Sequence, residues 1–304
     1  MIMVLGSTGF VGKAMVKRLK TEGVDYIAPT HEECDLQSKE VTLSLFERYN
    51  PDIVINLAAF LGGVHFGIKH AAEMFTNNME MQINILEACR KYKVKRLINP
   101  IGSCVYPGHL EVYEEDRLWD GPIHESVLPF AIAKKSFVVA CEAYRKEYGL
   151  DSINLVMSNI YGPGDHFDEE RAHAVGGMIK RLLDAKKNND QEFVVYGTGK
   201  PIREWLYIDD AVDALYRAID VQPIEGLINV GERKGHSIKE TAEIIADFVE
   251  FNGKLMFDDS WPDGAMVKTV DGHRAQELLG WKVTMPFTEG LKNTVEWYKE
   301  NYDG

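Results

Sequence analysis

The segment Ile2-Met3-Val4-Leu5-Gly6-Ser7-Thr8-Gly9-Phe10-Val11-Gly12 decides the fold of this chain. A short apolar run is followed by three glycines at intervals of three residues and by the start of a helical pattern. Glycines between a strand and a helix allow a tight turn and a close approach to a pyrophosphate, which the helix N-terminus attracts. The segment therefore predicts a dinucleotide site at Gly6, Thr8, Gly9, Phe10, Val11 and Gly12.

Short β-type runs then alternate with helical patterns as far as residue 158. The predicted strands are Ile2–Leu5, Tyr26–Ala28, Ile53–Leu57, Arg96–Ile101 and Ser152–Met157, with helices near 12–22, 39–49, 71–92 and 128–148. This alternation predicts an α/β fold with a Rossmann-type doubly wound parallel sheet. We expect a dinucleotide-binding domain over 1–158, with a returning segment near 205–235, interleaved with a smaller α/β substrate domain over 159–304.

The second part of the sequence has a less regular pattern. It contains candidate strands near Phe193–Tyr196 and Leu227–Val230. Ser237 and Glu240 have the spacing of a capping box and predict the start of a helix. A last amphipathic helix is expected from about Thr288 to Glu300. No repeat or low-complexity linker separates the two parts, which is why we expect them to interleave.

Composition restricts the possible partners. The chain has 304 residues, a formal net charge of -13 and a pI near 5.2, which argues against a nucleic-acid or membrane surface. No apolar run approaches the ~20 residues of a membrane span. The N-terminus lacks the basic region of a signal peptide, and the four cysteines lack metal-type spacing. These features are typical of a cytoplasmic protein with reduced thiols and no bound metal.

The end of the second predicted strand bears on the choice of cofactor. A typical NAD site has an acidic residue there, but this sequence continues Pro29-Thr30-His31. The difference favours NADP over NAD, with Thr30 or His31 pairing with the 2′-phosphate. Alternatively, Thr30 and Glu33 form a capping box for the next helix. Two further groups of residues are expected near the cofactor: Asp35 at the adenine amine, and Leu57, Ala58 and Ala59 through their backbone.

A series of motifs in one order resembles the extended short-chain dehydrogenase/reductases over nearly the whole chain. They are Ala58-Ala59 with Leu61-Gly62-Gly63-Val64, Asn78, Asn84, Ser103-Cys104-Val105-Tyr106-Pro107, Ala131-Ile132-Ala133-Lys134, Asn159-Ile160-Tyr161-Gly162-Pro163-Gly164-Asp165, Gly197-Thr198-Gly199-Lys200-Pro201-Ile202-Arg203-Glu204, Asp209-Asp210 and Pro262-Asp263-Gly264. The resemblance implies a nicotinamide cofactor, a GDP-linked sugar as substrate, and a homodimer formed through helices 71–92 and 128–148. Those helices could instead simply pack on the sheet.

The resemblance also exposes two departures at the reactive centre. The family's Tyr-x-x-x-Lys pair aligns with Phe130 and Lys134, so the lysine is present and the phenol is absent. The family's catalytic serine or threonine aligns with Gly102. Two hydroxyls that serve one substrate oxygen are therefore missing, and Ser103 is a candidate substitute. Lys134 remains available for the nicotinamide ribose or the substrate oxygen, unless it is a solvated lysine like Lys135.

The family's two epimerase residues, by contrast, match Cys104 and His173. A C4 ketone makes the protons on C3 and C5 acidic, and epimerisation removes a proton from one ring face and returns one to the other. A thiol and an imidazole titrate near enough to neutrality to do this. The alternatives are a buried inert cysteine and a surface histidine.

Several basic and polar residues are candidates for substrate binding. Asn159 is expected at a phosphate, Arg203 at the ribose or diphosphate, and Lys180 and Arg181 near the phosphates or on a solvated helix face. The family's arginine after Pro-Asp-Gly is Val267 here, with Lys268 next to it. His124 and Glu125 could supply a proton donor but fit an ordinary loop and helix start better.

Three functions remain open from the sequence. The first is epimerisation or proton exchange next to the C4 ketone of a GDP-4-keto sugar, with impaired reductase chemistry. The second is an NADP-dependent C4 reductase that uses another proton donor. The third is a catalytically silent subunit that binds a sugar nucleotide or the cofactor.

Overall fold

The computed structural model describes residues 1–168, 171–261 and 263–302, and gives no side chain for residues 64 and 65. Pro262 and the side chain of Val64, which belong to the motifs quoted above, lie outside the described residues. Within this part of the chain, none of the helices has the length and apolar character needed to cross a membrane. The four cysteines are free thiols.

A parallel sheet of six strands organises the first part of the molecule. Its strands are β1 (Ile2–Leu5), β2 (Tyr26–Ile27), β3 (Ile53–Asn56), β4 (Arg96–Gly102), β6 (Asp151–Met157) and β11 (Leu227–Val230), in the order β11-β6-β4-β3-β1-β2. Val4, Ile55 and Ile98 are fully buried, as expected for parallel strands covered on both faces. The doubly wound α/β architecture predicted from the sequence is confirmed.

Helices flank this sheet and end where the sequence supplies caps. They are α1 (Phe10–Thr21), α2 (Lys39–Tyr49), α3 (Val64–Lys69), α4 (Ala71–Lys91), α5 (Leu128–Tyr148) and α7 (Ile208–Arg217). Ser38 caps α2 by accepting from the Val41 N–H, and Gly149 ends α5 in the left-handed conformation that a glycine adopts without strain. Four of these helices match the segments predicted from the sequence.

The second part consists of short strands and four helices in the described residues. Three small sheets pair β10 (Trp205–Tyr207) with β7 (Asn159–Tyr161), β13 (Lys254–Asp258) with β8 (Glu192–Tyr196), and β12 (His236–Ser237), β9 (Ile202–Arg203), β14 (Val267–Val270) and β5 (Val112–Tyr113) in that order. The helices are α6 (Ala174–Lys187), α8 (Ile238–Val249), α9 (His273–Leu279) and α10 (Phe287–Tyr302). The predicted cap of α8 is confirmed, because the Glu240 N–H donates to Ser237 Oγ at 3.0 Å.

The two parts share strands in both directions. β11 lies in the second part of the chain yet pairs with β6 of the main sheet, and β5 lies in the first part of the chain yet pairs with β14. β7 begins two residues after β6 ends, so the second part adjoins the carboxyl end of the main sheet. Ligand sites in open α/β sheets lie outside the carboxyl ends of the strands.

One short motif forms differently from its prediction. The Thr30 N–H donates to Glu33 Oε2 at 2.8 Å, and the Glu33 N–H donates to Thr30 Oγ1 at 3.4 Å. These are the reciprocal bonds of a capping box, but no helix follows them, since α2 begins at Lys39 behind its own cap. The predicted capping box therefore closes a turn, because Asp35 and Ser38 begin new turns before a helix can start.

Candidate active site

The glycine turn has the close backbone contacts that a pyrophosphate site requires. Gly6 has a φ of +73°, and a Cβ added there would lie 2.6 Å from the Ala58 nitrogen. A Cβ added at Gly12 would lie 2.1 Å from the Gly6 carbonyl oxygen. A side chain is therefore excluded at both positions. The turn presses against Leu57 and Ala58, and the N–H groups of the first turn of α1 lack partners within their helix, as at every helix N-terminus.

Three polar side chains at or near the end of β2 differ in whether they are exposed or hydrogen-bonded within the protein. Ser7 Oγ donates to the Pro29 carbonyl oxygen at 2.9 Å and fixes this segment to the glycine turn. The His31 side chain is exposed. Asp35 accepts from the Gln37 N–H at 3.0 Å and so helps to shape its own turn.

The reactive centre contains Gly102, Phe130 and Cys104 in direct proximity. Gly102 ends β4, and a Cβ added there would lie 3.4 Å from Cys104 Sγ and 3.7 Å from Phe130 Cε1. Ser103 begins a short 3₁₀ turn, Ser103–Val105, which holds Cys104 next to Gly102. Gly102 and Phe130, the positions that the resemblance aligns with two hydroxyl-bearing residues, therefore face one another, and neither side chain carries a hydroxyl.

Lys134 is the most unusual charge in this region. Its side chain is only 4% exposed, and Nζ forms no hydrogen bond or ion pair within the described part of the chain. Nζ lies 5.7 Å from the centre of the Phe130 ring. Burial lowers the pKa of Lys134 to about 8, although Cys104 and Cys141 oppose this shift. An unpartnered buried amine beside Phe130 and Cys104 has three donors available for a ligand hydroxyl or oxygen.

Lys135 is not the solvated lysine assumed from the sequence. It is 6% exposed, and Nζ donates to the Leu118 carbonyl oxygen at 2.6 Å and lies 4.3 Å from the Trp119 ring centre. The segment before α5 folds back over the helix and covers it. Adjacent lysines on a helix point about 100° apart, so Lys135 secures this segment while Lys134 faces the reactive centre.

Cys104 has a higher pKa than the sequence suggested. Burial raises the pKa of its thiol to about 11, although the positive charges of Lys268 and Lys134 lower it in part. The expectation that this thiol titrates near neutrality is therefore wrong. Cys104 carries its proton at neutral pH.

His173 lies in the position before the first turn of α6. The His173 side chain is accessible to solvent, yet enough protein surrounds the imidazole to desolvate it. This combination is expected for a residue that lines a cleft. Desolvation lowers the pKa of His173 below its usual value, and His166 adds to the shift. In the described part of the chain, no hydrogen bond joins His173 to Cys104.

A tight contact connects the His173 loop to the first part of the molecule. A Cβ added at Gly63 would lie 2.6 Å from the carbonyl oxygen of Ala172, the residue before His173. The backbone of Gly63 is extended, with φ of -62° and ψ of -179°, so any residue could adopt it. Gly63 is required by the close approach of Ala172 rather than by its own conformation.

Three candidate substrate residues meet across neighbouring strands. Lys268 on β14 pairs in register with Arg203 on β9, and Asn159 on β7 donates through Nδ2 to the Glu204 carbonyl oxygen at 2.8 Å. Burial lowers the pKa of both Arg203 and Lys268, and their mutual repulsion lowers that of Lys268 further. The arrangement concentrates positive charge in a partly buried cleft, which suits a diphosphate.

Lys180 and Arg181 lie on α6. Lys180 forms an ion pair with Asp184 at 2.6 Å. Arg181 donates to the Val194 carbonyl oxygen at 2.5 Å and lies 4.2 Å from the centre of the Tyr196 ring. It is therefore held against β8 rather than freely solvated.

Several groups in this cleft were not among the candidates predicted from the sequence. Tyr113 is buried with its hydroxyl unbonded in the described residues, and Cys104 and Arg203 act on its pKa. Tyr196 and Trp261 are partly exposed aromatic rings whose centres lie 4.7 Å apart. Tyr113 comes from a two-residue strand and Trp261 from a bend, neither of which has periodicity, whereas Tyr196 ends the predicted strand β8. The motifs Gly197–Glu204 and Pro262–Gly264, together with Lys268, pointed to this region.

Comparison with known proteins shows the family of this chain. The chain belongs to the NAD dependent epimerase/dehydratase family, which matches residues 2–231. Its class is a nucleotide-sugar epimerase/reductase of the short-chain dehydrogenase type, so the resemblance found in the sequence is confirmed.

Individual relatives define the likeness more closely. The chain is 36% identical over 303 residues to a probable GDP-L-fucose synthase 1 of Oryza sativa subsp. japonica, covering 99% of this chain and 92% of the relative. A GDP-L-fucose synthetase from Naegleria fowleri bound to NADP superposes with a TM-score of 0.90 at 31% sequence identity, covering 99% of this chain and 94% of that structure. A GDP-6-OMe-4-keto-L-xylo-heptose reductase from C. jejuni superposes with a TM-score of 0.89 at 26% sequence identity, covering 98% of this chain and 97% of that structure.

Proposed function

We propose that this chain exchanges protons, and so epimerises, at carbons next to the C4 ketone of a GDP-linked 4-keto sugar, and that its reductase step is impaired. The observation that carries the proposal is the contact between Gly102, Cys104 and Phe130. A thiol suited to proton exchange is present there. The two hydroxyls that the family uses at the ketone oxygen during reduction are absent.

The cofactor fitting this site is a nicotinamide dinucleotide, and NADP is favoured. The turn Gly6–Gly12 would hold the pyrophosphate, Lys134 the nicotinamide ribose, and Thr30 or His31 the 2′-phosphate. Asp35 and the backbone of Leu57, Ala58 and Ala59 complete the proposed contacts. The NADP-bound relative supports this choice. When bound, the cofactor supplies or accepts hydride at the sugar's C4.

The protonation states of the two proposed acid/base residues are complementary. At neutral pH the Cys104 thiol is protonated, because burial raises its pKa to about 11. Desolvation lowers the pKa of His173 from its usual value, with His166 adding to the shift, which favours the neutral imidazole. The imidazole is therefore ready to accept a proton from C3 or C5, and the thiol is ready to return one. Lys134 and Ser103 would stabilise the negative charge that develops on the C4 oxygen.

The GDP portion of the substrate is assigned to the cationic cleft of the second part. We place the diphosphate at Asn159, Arg203 and Lys268, with Lys180 and Arg181 contributing positive charge nearby. Tyr196 and Trp261 provide aromatic surface for the base. The relatives named above support a GDP-linked substrate, since their names refer to GDP-sugars.

A C4 reductase is the second candidate function, and two observations favour it. One structural relative is named a reductase of a GDP-linked keto sugar. In addition, Tyr113 holds an unbonded hydroxyl near Cys104 and Arg203, and burial raises its pKa, so it stays protonated. Such a phenol could donate to the ketone oxygen in place of the missing tyrosine.

One sample can separate these candidates. The protein is mixed with a GDP-4-keto-6-deoxy sugar and NADPH in heavy water, and deuterium at C3 and C5 is measured by NMR while NADPH absorbance is followed. Deuterium uptake with slow NADPH loss supports the proposal. Rapid NADPH loss replaces it with the reductase. If neither reaction occurs and both ligands bind, the chain is a catalytically silent subunit.

A further inference from the structure

Glu204 is a buried carboxylate that the proposed chemistry does not use. It lies between β9 and β10 and is only 2% exposed. No lysine or arginine forms an ion pair with it in the described part of the chain. A carboxylate buried without a cation is costly unless hydrogen bonds satisfy both of its oxygens. The burial of this carboxylate therefore needs a structural explanation.

The side chain of Glu204 joins two segments that are distant in sequence. Oε1 accepts from the Glu232 N–H at 2.7 Å, and Oε2 accepts from the Val270 N–H at 2.6 Å. A Cβ added at Gly231 would lie 2.4 Å from Oε1, so the chain leaves room for the carboxylate by having no side chain there. Only a carboxylate presents two acceptors in this geometry, because the amide of glutamine has one acceptor and one donor group.

The backbone of Glu204 reaches the proposed diphosphate residues themselves. Its N–H donates to the Lys268 carbonyl oxygen at 3.1 Å. Its carbonyl oxygen accepts from Asn159, from Nδ2 at 2.8 Å and from the backbone N–H at 3.4 Å. Arg203 precedes it in the chain. One residue therefore bonds to two of the three proposed phosphate contacts and adjoins the third.

From this convergence we infer that Glu204 is a positioning residue that fixes the spacing of Asn159, Arg203 and Lys268 for a nucleoside diphosphate. The carboxylate anchors β14 at Val270, two residues after Lys268, and the backbone anchors β7 at Asn159. Small displacements of positioned groups weaken recognition strongly. The inference rests on the proposed function, which assigns those three residues to the diphosphate.

The test compares Glu204→Gln with Asp210→Asn. Asp210 is also 2% exposed and accepts backbone N–H bonds, from Thr284 at 3.0 Å and from Met285 at 3.1 Å, but it bonds to none of the proposed phosphate contacts. Titration calorimetry measures the Kd of GDP and, separately, of NADP. We expect Glu204→Gln to weaken GDP binding at least ~10-fold and to leave NADP binding unchanged. Asp210→Asn should leave both unchanged, even if it lowers the melting temperature equally.

A second variant keeps the test decisive if Glu204→Gln does not fold. Glu204→Asp keeps both acceptor oxygens, but its side chain is shorter by one methylene. It should weaken GDP binding less than Glu204→Gln does. Unchanged GDP affinity in the folded Glu204 variants, or equal losses in Asp210→Asn, would overturn the positioning role. If the unmodified protein binds NADP but not GDP, the proposed function itself fails, and this inference fails with it.

Discussion

At the scale of single residues, the proposed function depends most on position 130. The absence of a tyrosine could be read from the sequence, and so could the glycine at position 102. That the two positions face one another and Cys104 could not, because β4 and α5 are brought together only by the fold. A Cβ at Gly102 would meet Cys104 Sγ at 3.4 Å and Phe130 Cε1 at 3.7 Å, which are ordinary contact distances.

These distances leave room to introduce the two absent hydroxyls by substitution at positions 102 and 130. Gly102 has φ of -69° and ψ of 139°, so a serine fits its backbone without strain. We expect Phe130→Tyr with Gly102→Ser to raise the rate of NADPH oxidation by a 4-keto sugar nucleotide by ~10²-fold or more, since general acids contribute that much. The gain should exceed the sum of the single variants, because both groups act on one oxygen.

Stopped-flow absorbance at the reduced-nicotinamide band measures this rate. The single variants serve as controls. A double variant no faster than the unmodified protein, when that protein already reduces rapidly, would show that the site uses another proton donor. Tyr113 would then be the first residue to replace by phenylalanine.

Lys134 makes the proposed exchange depend on pH. Its pKa is lowered to about 8, so its positive charge is present below that pH and is lost above it. If this charge stabilises the oxygen at C4, exchange should slow as the pH rises through about 8. Cys104 cannot cause that decline, because its pKa is about 11.

Lys134→Arg provides the matched variant, because arginine keeps its charge throughout this range. Exchange rates measured by NMR from about pH 6 to about pH 10 should lose the decline near pH 8 in this variant. The same decline in both proteins would assign it to a different group.

At the scale of elements, long helices and buried strands were predictable and short strands were not. Helices α4 and α5 carry apolar residues at helical spacing over 21 residues each, and β4 has seven residues. By contrast, β5, β9 and β12 have two residues each, too few for a pattern. They exist because distant segments pair with them, and they hold much of the proposed substrate cleft.

The junction between α3 and the His173 loop gives a prediction at this scale. Gly63→Ala would push the Ala172 carbonyl away, since the added Cβ would lie 2.6 Å from its oxygen. Gly67→Ala on the same helix meets only the Met74 side chain, at 3.7 Å. We expect Gly63→Ala to slow C3 or C5 exchange by at least ~10-fold, and Gly67→Ala to leave it unchanged.

Deuterium uptake and thermal unfolding of both variants test this expectation. Gly63→Ala should lose exchange activity beyond any loss of stability. Equal exchange rates in the two variants would show that His173 does not depend on this contact.

At the scale of the whole molecule, the outer face of α4 and α5 suggests how the chain assembles. Phe75, Ile83, Ile132 and Val139 are exposed on these two helices, and Ile83 is 52% exposed. Tyr144 and Glu87 join the helices by a hydrogen bond, so the face is one surface. We propose that it forms a homodimer, as the resemblance implies.

Replacing two of these residues tests the assembly. Ile83→Glu with Val139→Glu places charges in the proposed interface and should give a monomer, because an unpaired buried charge is strongly unfavourable. Leu278→Glu on α9 is the matched control, since Leu278 is exposed on another helix. Light scattering after size exclusion gives the mass. A dimer that persists in the double variant would place the interface elsewhere.

Features that depend on residues close together in the sequence could be predicted, and features that depend on distant contacts could not. The glycine turn, the alternation of strands and helices in the first part and the cap of α8 depend on residues close together in the sequence, so they could be predicted. The burial of Lys135 depends on Leu118 and Trp119, and the raised pKa of Cys104 depends on its surroundings in the fold. Such properties come from long-range packing, which a single sequence does not display.

The central claim is that Cys104 and His173 exchange protons next to a ketone, and deuterium uptake tests it most directly. A GDP-4-keto sugar incubated with the protein in heavy water should gain deuterium at C3 or C5. Cys104→Ser and His173→Gln should each slow this by at least ~10²-fold, the contribution of a general acid or base. Uptake at an unchanged rate in both variants would contradict the claim and assign the two side chains to packing.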